Sequence, residues 1–140
     1  MTSVQIPELA ESKSIVGLFK ADYIVGEVKP GAKICNLSLL VYTPKRKVYG
    51  IASVVQQAVN PPLHLDFKVE GNYSIMTIMP RIVHIMVVLH GPGGIPIGST
   101  FEIHMVLSEN WKSGVASYKY REDPRSPWIE VENAPVTLVK

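Results

Sequence analysis

The chain has a single cysteine, Cys35, in 140 residues, so no disulfide can form within it. The spacings Cys-x-x-Cys, His-x-His and His-Glu-x-x-His are all missing, which removes the common zinc signatures. There is no Gly-x-Ser-x-Gly elbow to seat the serine nucleophile of an α/β-hydrolase. Excess charge of one sign is small: 14 Lys and Arg face 12 Asp and Glu. A nucleic-acid binder concentrates its basic residues in a stripe. Here the one cluster, Lys45-Arg46-Lys47, follows Thr43-Pro44 and reads as a solvated turn. No uninterrupted apolar segment is long enough for a membrane helix, and the opening MTSVQIPELAESK lacks the apolar core of a secretory signal. Helical apolar stripes are missing too; at most one helical turn fits Pro7 to Lys13. These absences predict a cytoplasmic protein with no nucleic-acid partner, no membrane span, no cofactor, no metal and no catalytic residue.

What is present is alternation. Leu63, Leu65, Phe67 and Val69 alternate with His64, Asp66, Lys68 and Glu70. Phe101, Ile103, Met105 and Leu107 alternate with Glu102, His104 and Ser108, and Val83, Ile85, Val87 and Leu89 form another apolar face. A period of two places such residues on opposite faces of a strand. Further strands are expected over 15–25, 33–43, 47–57, 73–79, 115–121, 128–131 and 136–139. Turn-formers separate them, including Lys29-Pro-Gly31, Asn60-Pro-Pro62, Gly71-Asn72, Asp123-Pro124 and Ala134-Pro135. The expectation is an all-β chain: an antiparallel β-sandwich or flattened barrel of about 8–10 strands, with no substantial helix. Residues 1–11 read as a flexible arm and 12–140 as one domain. Cys35 alternates with Leu37, Leu39 and Val41 and is expected to be a buried thiol.

The block GIASVVQQAVNPPLHLDFKVEGNYSIMTIMP, Gly50 to Pro80, carries Asn60-Pro-Pro62, Gly71-x-Tyr73 and Met79-Pro80. It resembles an uncharacterised proteobacterial family of small all-β proteins, catalogued as a domain of unknown function. The resemblance implies a bacterial β domain and brings no catalytic residue with it.

The stretch HGPGGIPIGST, His90 to Thr100, looks at first like chemistry. From Gly93 it is one residue short of a P-loop, and from His90 it is close to the oxyanion loop HGGG. A P-loop needs a lysine before the final hydroxyl residue and a helix after it. Here Ser99 takes the lysine's place and the alternating Phe101–Leu107 run follows. The oxyanion reading has no nucleophile to serve. The stretch is therefore expected to be a glycine-rich connection between two strands.

Three histidines share a face. Parity puts His84, His90 and His104 opposite the core faces of their strands. One permitted register sets His84 across from His104 with Glu102 nearby, yet the spacing does not suit a metal. The segments Tyr73–Met79 and Arg81–His90 are apolar on nearly both faces, and mean hydropathy is +0.16. A strand covered on one side does not look like this. A second sheet or a second subunit is expected to cover the outer face. The interaction surface expected on this basis comprises Ile82, His84, Met86, Val88, His90, Gly93, Gly94 and His104. The function expected is that of a non-enzymatic binding or protein-interaction domain, with a homodimer through the Tyr73–His90 region or an unidentified protein as partner. The alternative is a barrel that carries a small apolar ligand in a cavity lined by Met76, Met79, Met86 and Met105. A third reading is an uncharacterised hydrolase that uses the hairpin histidines.

Overall fold

A computed structural model describes residues 17–56, 62–78, 82–91 and 99–139. The expected arm, 1–11, and the helical turn at Pro7 to Lys13 lie outside the described residues. Eight strands form one closed antiparallel barrel: β1 (Leu18–Val25), β2 (Ile34–Tyr42), β3 (Lys47–Gln56), β4 (Leu63–Ile78), β5 (Ile82–Gly91), β6 (Phe101–Ser108), β7 (Ser113–Tyr120) and β8 (Ile129–Leu138). They follow one another around the ring in chain order. The one helical element among the described residues is a 3-10 turn, Thr43–Lys45, which Pro44 favours. Arg46 leaves it at φ 53°, and Lys45, Arg46 and Lys47 are exposed in the β2–β3 turn, as their composition predicts.

Closure abolishes the free edges that a sandwich would retain. The closing seam is short. Tyr23, Ile24 and Val25 of β1 pair with Leu138, Thr137 and Val136 of β8. Gly26 N–H extends the seam to the Pro135 carbonyl at 2.8 Å, and Val139 N–H to the Asp22 carbonyl at 2.7 Å. The sandwich alternative is thus replaced by the barrel alternative, and the physical reason is this single pairing between the first and last strands.

The eight strands among the described residues fall within the expected 8–10, at its lower end because two expected breaks are continuous strand. Gly71-Asn72 was a turn on composition. Instead β4 runs for 16 residues through it. Its first part, Leu63–Asn72, pairs with β3, and its second part, Glu70–Ile78, pairs with β5. Gly71 sits in the overlap, where β4 pairs with both neighbours. A Cβ there would collide with the Val88 carbonyl oxygen of β5, so the close approach requires glycine. Ala134-Pro135 is likewise inside β8. The β7–β8 register shifts between Ala116 and Tyr118. Asn133 takes φ 55° at that bulge, and its N–H donates to Ser117 Oγ at 3.1 Å.

The inward positions fill the ring. Eight strands leave an interior just wide enough for side chains, and here Tyr23, Leu37, Leu39, Leu89, Phe101, Ile103, Met105, Leu107 and Tyr120 occupy it fully buried. Two aromatic groups divide the interior. At one end Trp111, in the β6–β7 turn, meets Phe19 and Tyr73 edge-on at 5.2 and 5.1 Å. At the other, Phe67, Phe101, Tyr118 and Tyr120 form a file with centroid spacings of 5.1, 6.1 and 6.4 Å. Cys35 is buried among these strands, and burial pushes its thiol up to about 12. The outer wall carries Lys20, Lys47, Lys68, Glu70, Glu102 and Lys119. The interior is apolar, whereas the lumen of a transmembrane barrel is polar. Among the described residues no helix is long and apolar enough to cross a membrane.

Candidate functional site

The outer wall of β5–β8 is ordered in rows, because antiparallel registers carry one residue per strand across the sheet. One row is polar: Glu70, His90, Glu102, Lys119 and Glu130 are successive cross-strand partners from β4 to β8. Lys119 Nζ lies 3.9 Å from Glu102 Oε1. The next row is Asn72, Val88, His104 and Ser117 on β4 to β7. The third is apolar: Met86, Val106, Val115 and Pro135. Val88, Val106 and Val115 are 36%, 38% and 49% exposed, and Met86 is half-buried. Apolar side chains therefore run contiguously over three strands and reach a proline on the fourth.

The rim of this wall is held by Trp128. Its ring faces Lys119 Nζ at 4.6 Å and the Arg121 guanidinium at 4.1 Å. Stacking of that kind contributes about 0.5–1 kcal/mol at an exposed site. Arg121 also donates from Nε and Nη2 to the Ser99 carbonyl at 3.1 and 2.8 Å. It thereby ties the end of the β5–β6 connection to β7. Thr100 N–H donates to the Gly91 carbonyl at 2.7 Å, and Gly91 pairs with Phe101. β5 and β6 on either side of the stretch are accordingly hairpin partners, with a strand where a P-loop needs a helix, and residues 92–98 lie outside the described residues. Gly93 and Gly94 lie outside the described residues.

The expected site residues fall as follows. His84, His90 and His104 share the outer face, as parity required. Their register differs from the one considered: His104 lies opposite Val88, and His84 lies opposite Ser108. The two rings are four residues apart along the ladder. Among the described residues no group of three His, Cys, Asp or Glu side chains could hold a metal. Ile82 pairs with Ile78 at the end of the β4–β5 hairpin. The four methionines do not line one cavity. Met105 points into the core, Met76 and Met86 lie on the outer face, and Met79 is outside the described residues. The expected second layer over β5 is not present among the described residues, since the barrel is one sheet thick.

Two features escaped sequence reasoning. Ser53 Oγ donates to Asp66 Oδ1 at 2.6 Å, and His64 Nε2 lies 3.1 Å from the same oxygen. The Ser53 hydrogen bond, with His64 beside it, lowers the Asp66 carboxyl below its ordinary range. These are the residue types of a hydrolytic triad in the wrong order. The histidine must stand between serine and carboxylate to take the serine's proton, and here the carboxylate stands in the middle. The second feature is a solvent-open groove of about 600 Å³ outside β1–β3, walled chiefly by Ile24, Val28, Pro30, Ile34 and Val55. Its residues lie in the β1–β2 hairpin between Ile24 and Asn36, and Val55 of β3 completes it, a juxtaposition that only the β2–β3 register makes.

A closed antiparallel barrel with a filled interior and a patterned outer wall defines, among the described residues, a class of small all-β domain. The chain belongs to the family described as "Domain of unknown function (DUF1842)", which matches residues 16–128. That span takes in β1–β7 and stops just before β8. A search of curated proteins finds no match.

Proposed function

We propose that this chain is a non-enzymatic protein-interaction barrel of the cytoplasm, and that the outer wall of β5–β8 is its contact surface. The observation that carries the reading is the apolar row Met86–Val106–Val115–Pro135, flanked by Val88 on one side and by the Glu102–Lys119 row beyond it. Fully burying a side chain of this size is worth roughly 1.5–3 kcal/mol, and an apolar strip with a charged border is the usual make-up of an interface core and rim. The buried, protonated Cys35 suits a reducing compartment. The partner is a protein that presents an apolar strip of its own. The test compares wild type with a Val106→Glu/Val115→Glu variant, both checked for strand-type circular dichroism. Wild type should retain a stoichiometric partner from host extract, and the variant should release it. Equal retention by both proteins, or none by wild type at micromolar concentration, defeats the reading.

The small-ligand alternative keeps one support. Side chains already occupy the interior, so the apolar groove beside Ile34 and Val55 is the better seat. Saturable one-to-one binding of an apolar fluorescent probe, lost in Val55→Glu, would favour a carrier over an interaction domain.

A further inference from the structure

We propose that a second copy of this chain docks on the outer face of β1–β4, around a twofold axis that runs parallel to the strands between β2 and β3. The face holds five adjoining apolar side chains: Leu18, Leu40, Tyr42, Tyr49 and Ile51, each 38–50% exposed. Leu18 lies opposite Tyr42, and Leu40 opposite Tyr49. Together they leave roughly 400 Å² of side chain in water, the size of the largest patch on a typical monomer, which is often functional. That supplies about half of what each partner buries in a standard interface. The stems of the flanking lysines and Glu70 supply more.

Charge identifies the occupant. The registers order the face into three rows from β1 to β4. The first is Leu18, Tyr42, Lys47 and Asn72; the second is Lys20, Leu40, Tyr49 and Glu70; the third is Asp22, Ser38, Ile51 and Lys68. In each charged row the sign on β1 opposes the sign on β4. An axis along the strands reverses the strand order and keeps the rows. Lys20 then faces Glu70 of the second copy, Asp22 faces its Lys68, Tyr42 faces its Lys47, and Leu40 faces its Tyr49. Each contact occurs twice, as an isologous interface requires. An axis across the strands through the Leu40–Tyr49 row would instead set Lys20 on Lys20 and Glu70 on Glu70, and like charges opposed across an interface are costly. Within one copy Lys20 meets Asp22 at 3.6 Å, and the lysine side chain is 64% exposed. Such a pair contributes little and leaves the ammonium able to turn. The wall curves away at β1 and β4, so Lys20, Asp22, Lys68 and Glu70 border the contact and orient it by charge at its rim. Self-association thus falls on β1–β4, a different face from β5, where hydrophobic pattern alone placed it.

The test is a charge exchange read by sedimentation velocity over a micromolar concentration series. Wild type should be a dimer. Lys20→Glu alone and Glu70→Lys alone should each weaken the dimer by about tenfold or more, since both copies then oppose like charges. An equimolar mixture of the two variants should form heterodimers, because Glu at 20 meets Lys at 70 and Glu70 meets Lys20. Leu40→Glu should give a folded monomer. Met86→Glu, on the other wall, should remain dimeric. A monomeric wild type overturns the proposal. So does a mixture that stays monomeric, or a dimer that Met86→Glu breaks and Leu40→Glu does not.

Discussion

The hydroxyl of Tyr23 donates a 2.8 Å hydrogen bond to the Trp111 carbonyl, 88 residues away, inside the barrel. Tyr23 belongs to the closing seam on β1, and Trp111 plugs one end from the β6–β7 turn at φ 66°. One bond therefore couples ring closure to the plug. Tyr23→Phe keeps the ring and leaves a buried carbonyl unpaired, which costs about 1–3 kcal/mol. The expected result is a lower urea midpoint at unchanged slope. A midpoint equal to wild type would mean that this bond does not hold the plug.

Tyr118 presents the opposite case. Its hydroxyl is buried with no hydrogen-bond partner among the described residues, in the file between Phe101 and Tyr120. Removing an unsatisfied buried hydroxyl relieves its desolvation cost and keeps the ring in place. Tyr118→Phe is expected to be neutral or to stabilise the fold by about 1 kcal/mol. Parallel urea titrations of the two Phe variants give the comparison. A loss at position 118 as large as that at 23 would contradict the account.

The buried acids make stability fall at alkaline pH. Burial raises the Cys35 thiol from 9.0 to about 12, and burial also raises the Tyr23 and Tyr118 hydroxyls above their ordinary 10.0. The unfolded thiol loses its proton near 9, while the folded one keeps it up to about 12. Across that window the unfolded state is favoured more with each step in pH. Stability should thus be level below about pH 8.5 and decline above it. Cys35→Ala should move the onset upward to the tyrosine range. An onset unchanged in Cys35→Ala would show that the thiol does not drive the decline.

Much of this barrel was legible. Alternation correctly assigned Ile85, Val87 and Leu89, and Phe101, Ile103, Met105 and Leu107, to the buried face. It also put the three histidines outside. What it left open was register. Parity permits any shift by two residues, and the Gly91–Phe101 pairing that fixes this hairpin sits at the base of a long connection. Hence His104 meets Val88, although parity equally allowed His84. Ring closure was hidden for a related reason. It depends on three pairs between strands more than 100 residues apart, and no local pattern records them. The apolar patch on β1–β4 was overlooked because it alternates with core residues on β2 and β3. Leu40 and Tyr49 look like ordinary members of apolar strands until the register sets them side by side.

Glycine 71 is where composition misled most, and it makes the sharpest test of the barrel. A turn would tolerate alanine at many positions. A strand pressed against its neighbour does not. A Cβ on Gly71 would collide with the Val88 carbonyl oxygen and crowd Leu89 Cα, both backbone atoms that side-chain rotation cannot move aside. Gly17 is the control. A Cβ there would meet Pro44 Cγ at 3.5 Å, an ordinary contact with a side chain. Gly71→Ala is therefore expected to cost about 3 kcal/mol or more, enough to unfold many domains of this size. Gly17→Ala should stay within about 0.5 kcal/mol of wild type, as surface substitutions usually do. Thermal melts of the two variants beside wild type measure both. If Gly71→Ala melts like wild type, β4 does not run unbroken past β5, and the segment is the turn that Gly-Asn suggests.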